Sequence, residues 1–152
     1  MKAKDIMTRE VISAGPECPV HTLAKLMTEH AISGIPILEE GVLVGIVTEG
    51  DLVDRVKRVH LPTIITILDV VFPIMGERQY EDDLRKMGAA TARDIMTSKV
   101  FTVDEEASMT DVATILSERH ITLLPVMRAG EELVGVIGKR DIIRAMLQEG
   151  DV

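Results

Sequence analysis

The sequence predicts an α/β (α+β) protein made of two β-α-β-β-α units that pack about a pseudo-twofold axis. The prediction rests on three sequence blocks that each occur twice, in the same order. They are KDIMTREVIS and RDIMTSKVFT (4–13, 93–102), MTEHAISGIPIL and LSERHITLLPVM (27–38, 116–127), and VLVGIVTEGDLV and ELVGVIGKRDII (42–53, 132–143). The offset is 89 residues for the first two blocks and 90 for the third. The extra residue lies where EEG aligns with RAGE. A hairpin turn is predicted there, and such a turn can change its length.

Each unit of roughly 50 residues is predicted to begin with an extended arm and an amphipathic helix. The arm VISAGPECPV contains Gly and Pro, which favour an extended segment. In VHTLAKLMTEHA the apolar side chains recur at helical spacing, at Leu23, Leu26, Met27 and Ala31. The second unit has DVATILSERH in the equivalent place.

Two strands and a second helix complete each unit. GIPIL and VLVGIVT are short apolar runs on either side of EEG, a pattern typical of a β-hairpin, and LLPVM and LVGVIG repeat it. EGDLVDRVKRV and KRDIIRAMLQ follow the hairpins and predict helices with polar residues at their starts. In the first of these helices we expect Leu52, Val53 and Val56 to face the core.

The repeats divide the chain into a first repeat at 1–58, an insert at 59–90 and a second repeat at 91–152. One unit alone would expose a large apolar surface, so the two units are predicted to pack face to face. In the insert, PTIITILDVVFPI fits a buried strand or a short helix, and ERQYEDDLRKMG predicts a helix that ends at Gly88. Because so large an apolar patch seldom stays in water, we expect a homodimer.

The composition disfavours several functional classes. A formal net charge of −8 argues against nucleic acid as a partner, since nucleic acid binding needs a basic face. No apolar run reaches the ~18–20 residues of a membrane-spanning helix, and the N-terminus lacks the apolar stretch of a signal peptide. The single Cys18 cannot form an internal disulfide, which fits a reducing compartment, and no histidine pair has metal-ligand spacing. We therefore expect a cytoplasmic protein with no nucleic acid, membrane or metal.

The ordered blocks resemble the cystathionine-β-synthase (CBS) domain family. The features that carry the resemblance are DIMT, a helix, GIPI, a turn and LVGIVTEGDL, and they cover about 4–58 and 92–147. Two copies in tandem resemble the CBS pair, or Bateman module. The resemblance implies a regulatory module without catalytic activity or resident cofactor. It also implies an adenosine-containing ligand, such as AMP, ADP, ATP or S-adenosylmethionine, and dimers that form through the helices.

The candidate ligand-binding residues lie where a strand ends at a helix N-terminus. Backbone N–H groups there suit phosphate or sugar oxygens, and a carboxylate can accept hydrogen bonds from a ribose diol. The resemblance implies that the Thr of GxxTxxD donates to ribose or phosphate and that the Asp holds the ribose hydroxyls. Thr48 and Asp51 match this pattern, whereas Asp141 matches without the Thr. The alternative is that both Asp residues simply cap helices.

Gly138 takes the place of the missing threonine in the second repeat. The second site is therefore expected to lack a contact worth ~1 kcal/mol or somewhat more. Lys139 and Arg140 follow it and could meet a phosphate, where the first repeat has Glu49 and Gly50. We expect two related clefts that are not equivalent, with the ribose held at Asp51 in the stronger one.

The remaining candidates also have structural explanations: strand entry into the core for the residues before and in the strands, ordinary polar strand positions for those of the arms, and a partner for the helix C-terminal dipole for the histidine. They are polar residues before the strands (Ser33, Thr122), apolar walls (Ile35, Pro36, Leu124, Pro125), polar residues of the arms (Ser13, Thr102) and a phosphate contact (His120).

Two functional hypotheses follow from the residues. The first is a nucleotide-sensing module that acts on an effector protein, which we expect on another polypeptide because the chain holds only the repeats and the insert. The second is a structural or dimerisation module with empty clefts. An enzyme is disfavoured, since the sequence has no Ser/His/Asp set, P-loop or paired carboxylates.

Overall fold

The computed structural model describes residues 1–58 and 90–150. The predictions made for PTIITILDVVFPI and for a helix ending at Gly88 fall on 59–89, outside the described residues, so they stay predictions. Among the residues that are described, no helix has the length and apolar character needed to cross a membrane.

The described residues form the predicted α/β architecture of two similar units. The first repeat contains α1 (Ala3–Ile6), α2 (Val20–His30), β1 (Gly34–Glu39), β2 (Val42–Thr48) and α3 (Glu49–Arg58). The second contains α4 (Ala92–Ile95), β3 (Val103–Asp104), α5 (Met109–Glu118), β4 (Leu123–Arg128), β5 (Glu132–Gly138) and α6 (Lys139–Glu149). The short helices α1 and α4 overlap the beginnings of the DIMT segments and were not predicted.

The two hairpins pair as predicted. Strands β1 and β2 are antiparallel, and the two-residue turn between them has positive φ at Glu40 (51°) and Gly41 (80°). Strands β4 and β5 repeat this pairing, but their turn holds the three residues 129–131, with positive φ at Ala129 (52°) and Gly130 (72°). The one-residue difference between the repeats therefore lies in the hairpin turn, as predicted. The arm of the second repeat forms β3, parallel to β4, whereas the arm of the first touches its hairpin at the single bridge Ala14–Ile37.

The pseudo-twofold axis appears in equivalent hydrogen bonds between the units. The N–H of Thr8 donates to the carbonyl of Val136 at 2.8 Å, and the N–H of Val136 donates back at 3.0 Å. Thr97 and Ile46, at the equivalent positions, make the same pair of bonds at 2.9 and 3.0 Å. Each DIMT segment therefore pairs with the second hairpin strand of the opposite repeat.

The two hydrophobic cores exchange their short helices. Ala3, Ile6 and Met7 of the first repeat are buried in the core that contains Val112 and Leu124 of the second. In return, Ala92 is buried in the core of the first repeat, which contains the side chains of Leu23, Met27, Ile35, Ile37 and Val47. A sequence repeat and a packing unit are thus not the same set of residues.

The glycine in each VGIV or VGVI segment makes room for a methionine of the opposite repeat. A Cβ atom added at Gly45 would lie 2.5 Å from Met96 Sδ, and one added at Gly135 would overlap Met7 Sδ in the same way. In each case the methionine of DIMT therefore packs against the strand glycine of the opposite repeat.

The expectation that Val53 and Val56 face the core is wrong. Their side chains are 67% and 50% exposed, whereas Leu52 is partly buried against the first core. At about 100° per residue, Val53 lies about 100° and Val56 about 40° around the helix from Leu52, so both side chains are on the same side of Leu52 and turn towards solvent there. The equivalent Ile143 of α6 is likewise 57% exposed.

Candidate functional site

A cavity of about 400 Å³ lies on the seam between the two repeats. The first repeat supplies its DIMT segment and arm (Thr8, Glu10, Ile12), the entry to β1 (Ala31–Gly34, Pro36) and Glu49. The second repeat supplies the entry to β4 (Thr122, Leu123), Val136, and the junction of β5 with α6 (Gly138–Asp141, Arg144). Its size is within the range of ordinary small-molecule sites.

Asp141 is the most buried charged residue on this cavity, with only 8% of its surface exposed. Its Oδ2 accepts the backbone N–H of Gly138 at 2.8 Å, which caps the first turn of α6. Its Oδ1 accepts the Thr8 hydroxyl at 3.0 Å and the Arg144 guanidinium at 3.2 Å. Three donors from both repeats thus hold the carboxylate in one orientation.

The hydroxyl that Gly138 lacks reaches Asp141 from the opposite repeat. Thr8 follows α1, and its backbone pairs with Val136 two residues before Gly138. This pairing carries the Thr8 side chain to Asp141, although the two residues are 133 positions apart in the chain. The local motif showed only that Gly138 replaces the threonine, and the threonine that contacts Asp141 comes from the other repeat. The expected loss of a ligand contact at Gly138 stays a prediction.

Thr48 and Asp51 form the equivalent junction between β2 and α3. Asp51 Oδ2 accepts the backbone N–H of Thr48 at 2.9 Å and its hydroxyl at 3.2 Å. Here the Thr48 hydroxyl donates a hydrogen bond to Asp51, as the Thr8 hydroxyl does to Asp141. Both side chains are half-buried, and neither lines the 400 Å³ cavity. Both Asp residues therefore cap helices, whether or not they also bind a ligand.

The cavity carries charges of both signs. Lys139 and Arg140 begin α6, and Arg144 lies one turn further on, paired with Asp141. Glu10 of the arm and Glu49 at the start of α3 line the same space.

The other candidate residues separate into three groups. Ser33, Pro36, Thr122, Lys139 and Arg140 line the cavity with Asp141. The side chains of Ile35, Leu124 and Pro125 are fully buried and do not line it. The side chains of Ser13, Thr102 and His120 are exposed and lie outside it.

The sequence did not identify Thr8, Glu10 or Arg144 as candidate site residues, and it did not place Glu49 on the cavity. Thr8 belongs to the repeated DIMT block, so its repetition was visible, but its partner across the seam was not. Arg144 follows Asp141 by three residues and could have been found, because side chains three apart on a helix are neighbours.

Two further features bear on the chemistry of the described residues. Within residues 1–58 and 90–150, no cluster of three His, Cys, Asp or Glu side chains is arranged to hold a metal ion. Burial raises the pKa of the Cys18 thiol, which disfavours the reactive thiolate.

Comparison with known proteins identifies the family. The CBS domain model matches residues 3–58 and 92–148. Protein MJ1426 of Methanocaldococcus jannaschii is 26% identical over an alignment of 155 positions that covers 97% of this chain and 92% of that protein. The inosine-5'-monophosphate dehydrogenase of Korarchaeum cryptofilum is 28% identical over 141 residues, which cover 93% of this chain but only 23% of the enzyme.

Solved structures give the same result. The CBS domain pair of protein MJ0100, in complex with 5'-methylthioadenosine and S-adenosyl-L-methionine, is 25% identical with a TM-score of 0.73, and 98% of each chain is covered. CBSX2 in complex with AMP is 22% identical with a TM-score of 0.73 and the same coverage, which shows a shared fold. This chain therefore belongs to the CBS domain family and carries two CBS domains in tandem, at residues 3–58 and 92–148.

Proposed function

We propose that this chain is a regulatory CBS pair that binds an adenosine-containing ligand in the cavity at Asp141 and signals its presence to a partner protein. The observation that carries the proposal is the oriented carboxylate of Asp141 on a cavity of about 400 Å³ between the repeats. The complex of the MJ0100 CBS pair with two adenosine compounds supports it.

In the proposed complex, Asp141 accepts hydrogen bonds from the ribose diol. Ser33 and Thr122, at the entries to β1 and β4, stand on opposite repeats and contact the base. Lys139 and Arg140 face the substituent on the ribose 5′ carbon. A ligand held in this way contacts both repeats, so its binding favours one relative position of the two units. That coupling is how we propose that the module regulates a partner.

We propose a second site at Thr48 and Asp51 that is not equivalent to the first. The support is the charge at matching positions of the repeats. Arg144 corresponds to Asp54, and Arg140 corresponds to Gly50, so the Asp51 junction has fewer positive charges beside it. We therefore place the stronger anion-accepting site at Asp141, the reverse of the ranking that the local motif favoured.

A homodimer is the second part of the proposal. Val53 and Val56 on α3 are exposed, and so are Ile143 and Met146 at the equivalent positions of α6. Apolar side chains in matching stripes on both units favour a symmetric partner that covers them. The same stripes support the competing function, a dimerisation module that binds no ligand.

Calorimetry separates sensing from dimerisation. The full chain is titrated with AMP, ADP, ATP, S-adenosylmethionine and GMP as the guanine control. We expect heat for at least one adenosine compound, and Asp141→Asn should weaken its binding about 10-fold or more, because a charged acceptor of a hydrogen bond is worth about 1.5–3 kcal/mol. Asp54→Asn, at an exposed carboxylate of α3 outside the cavity, is the matched control and should bind normally. If no adenosine compound binds at millimolar concentration, the sensing function is wrong and the dimerisation module takes its place.

A further inference from the structure

The cavity at Asp141 is lined by equal numbers of acidic and basic side chains. The acids are Glu10, Glu49 and Asp141, and the bases are Lys139, Arg140 and Arg144. The carboxylate of Asp141 and the guanidinium of Arg144 lie 3.2 Å apart and neutralise each other. Two carboxylates and two cations are left to face a ligand.

This balance is unfavourable for a polyphosphate. A site for a chain of phosphates normally presents an excess of Lys, Arg or backbone N–H donors. Here Glu10 and Glu49 line the same small space that the phosphates would enter, and like charges brought close together repel each other. Each added phosphate would increase that repulsion, so the cavity suits a ligand with little net negative charge.

The two remaining acids and the two remaining bases come from different repeats. Glu10 and Glu49 belong to the first repeat, whereas Lys139 and Arg140 belong to the second. A ligand that spans the seam would therefore meet carboxylates from one unit and cations from the other. A substituent with both a positive and a negative group matches this arrangement.

Resting on the proposed function, we propose that the cavity selects an adenosine compound whose 5′ substituent carries a cation and a carboxylate over nucleoside di- and triphosphates. The chemical class is an adenosyl sulfonium amino acid, for which S-adenosylmethionine is the probe. Its carboxylate pairs with Lys139 and Arg140, and its sulfonium and ammonium groups face Glu10 and Glu49. The ribose remains on Asp141.

Separate titrations of the full chain with four probes test this ligand selection. Calorimetry is run with S-adenosylmethionine, S-adenosylhomocysteine, ATP and AMP in the same buffer and at the same ionic strength. We expect S-adenosylmethionine to bind at least 10-fold more tightly than ATP. S-adenosylhomocysteine, which lacks the sulfonium charge, should bind several-fold more weakly than S-adenosylmethionine.

The double variant Glu10→Gln/Glu49→Gln tests whether these two carboxylates cause the ligand selection. Both side chains are exposed, so neutral amides at these positions leave the cores intact. The variant should bind S-adenosylmethionine more weakly and ATP more tightly, so the ratio of the two dissociation constants should change at least 10-fold. Glu29→Gln, an exposed acid of α2 that does not line the cavity, is the matched control and should leave the ratio unchanged.

The outcomes distinguish this inference from the proposed function. If ATP binds as tightly as S-adenosylmethionine, or if the double variant keeps the wild-type ratio, the selection is wrong while adenosine sensing stands. If S-adenosylmethionine binds equally well to Asp141→Asn, its site is elsewhere and the selection is wrong. If none of the four probes binds, the proposed function itself fails.

Discussion

The hydroxyl of Thr8 donates a hydrogen bond of 3.0 Å to Oδ1 of Asp141, and this bond joins the first repeat to the carboxylate of the second repeat that lines the cavity. Thr97 occupies the equivalent position, but its side chain makes no hydrogen bond to Asp51 within the described part of the chain. The two junctions therefore hold their carboxylates by different routes.

We predict that Thr8→Val destabilises the protein and Thr97→Val does not. Valine has nearly the same shape as threonine but leaves Asp141 without one of its three donors, at a cost of about 1 kcal/mol in the free energy of unfolding. Urea denaturation of both variants measures the difference. Equal stabilities would show that the Thr8 bond contributes nothing in water.

We predict that Gly138→Thr is tolerated and increases stability by up to about 1 kcal/mol. A Cβ atom at Gly138 would lie 3.5 Å from the Thr122 carbonyl, an ordinary contact, and the φ of −112° suits any residue. The new hydroxyl could donate to Asp141 as Thr48 donates to Asp51. Thermal unfolding checks this, with Thr48→Gly expected to shift stability in the opposite direction. A large loss of stability in Gly138→Thr would show that the junction has no room for the side chain.

We predict that Gly135→Ala is destabilising by about 1–3 kcal/mol, the usual cost of overpacking a core. The added methyl group would overlap Met7 of the opposite repeat. Gly50→Ala is the control, because its methyl group would meet only Thr48 Oγ1 at 3.7 Å and should cost nothing. Adding Met7→Ala to Gly135→Ala should recover part of the loss, and strictly additive effects in this double-mutant cycle would contradict the contact.

We predict that Glu106 makes the attachment of the N-terminal segment sensitive to acid. The ammonium groups of Lys2 and Lys4 donate to its carboxylate, each at 2.5 Å, and these bonds lower its pKa from 4.5 to about 2. A pKa that is lower in the folded state contributes stability that is complete above 4.5 and is lost as the pH falls towards about 2.

Glu106→Gln should therefore lose less stability than the wild type between about pH 5 and pH 2, as followed by thermal unfolding at each pH. Glu118→Gln, at an exposed carboxylate with no ion pair among the described residues, should keep the wild-type dependence. Parallel curves for Glu106→Gln and the wild type would rule out the contribution of Glu106.

We predict that the double variant Val53→Glu/Ile143→Glu is monomeric. Both side chains are more than half exposed on α3 and α6, and charged groups there would oppose burial against a second copy. Sedimentation velocity at micromolar concentration should show a dimer for the wild type and a monomer for the variant. Val42→Glu, at an exposed valine in the hairpin, is the control and should remain dimeric. A monomeric wild type would contradict the homodimer.

Much of the fold could be predicted from the sequence, because its signals are local. Helix α2 and the two hairpins follow from the spacing of apolar residues, and the position of the extra residue follows from aligning the repeats. The spacing of apolar residues correctly predicted helix α3. It did not show which face of α3 meets the core, and the expectation for Val53 and Val56 was wrong for that reason. An apolar stripe on a helix shows which side chains share a face. It does not show whether that face meets the core, a second subunit or water.

The sequence by itself determined that the chain holds two copies of one unit and that a carboxylate follows the last strand of each. Only the tertiary structure decided that α1 belongs to the core of the second repeat and α4 to that of the first. The same exchange brings Thr8 to Asp141 and Met7 to Gly135. The physical reason is that each DIMT segment can bury its apolar side chains and pair its backbone against either hairpin. Local sequence is the same in both arrangements, so the choice depends on contacts between residues far apart in the chain, such as Thr8 with Asp141 and Thr97 with Ile46.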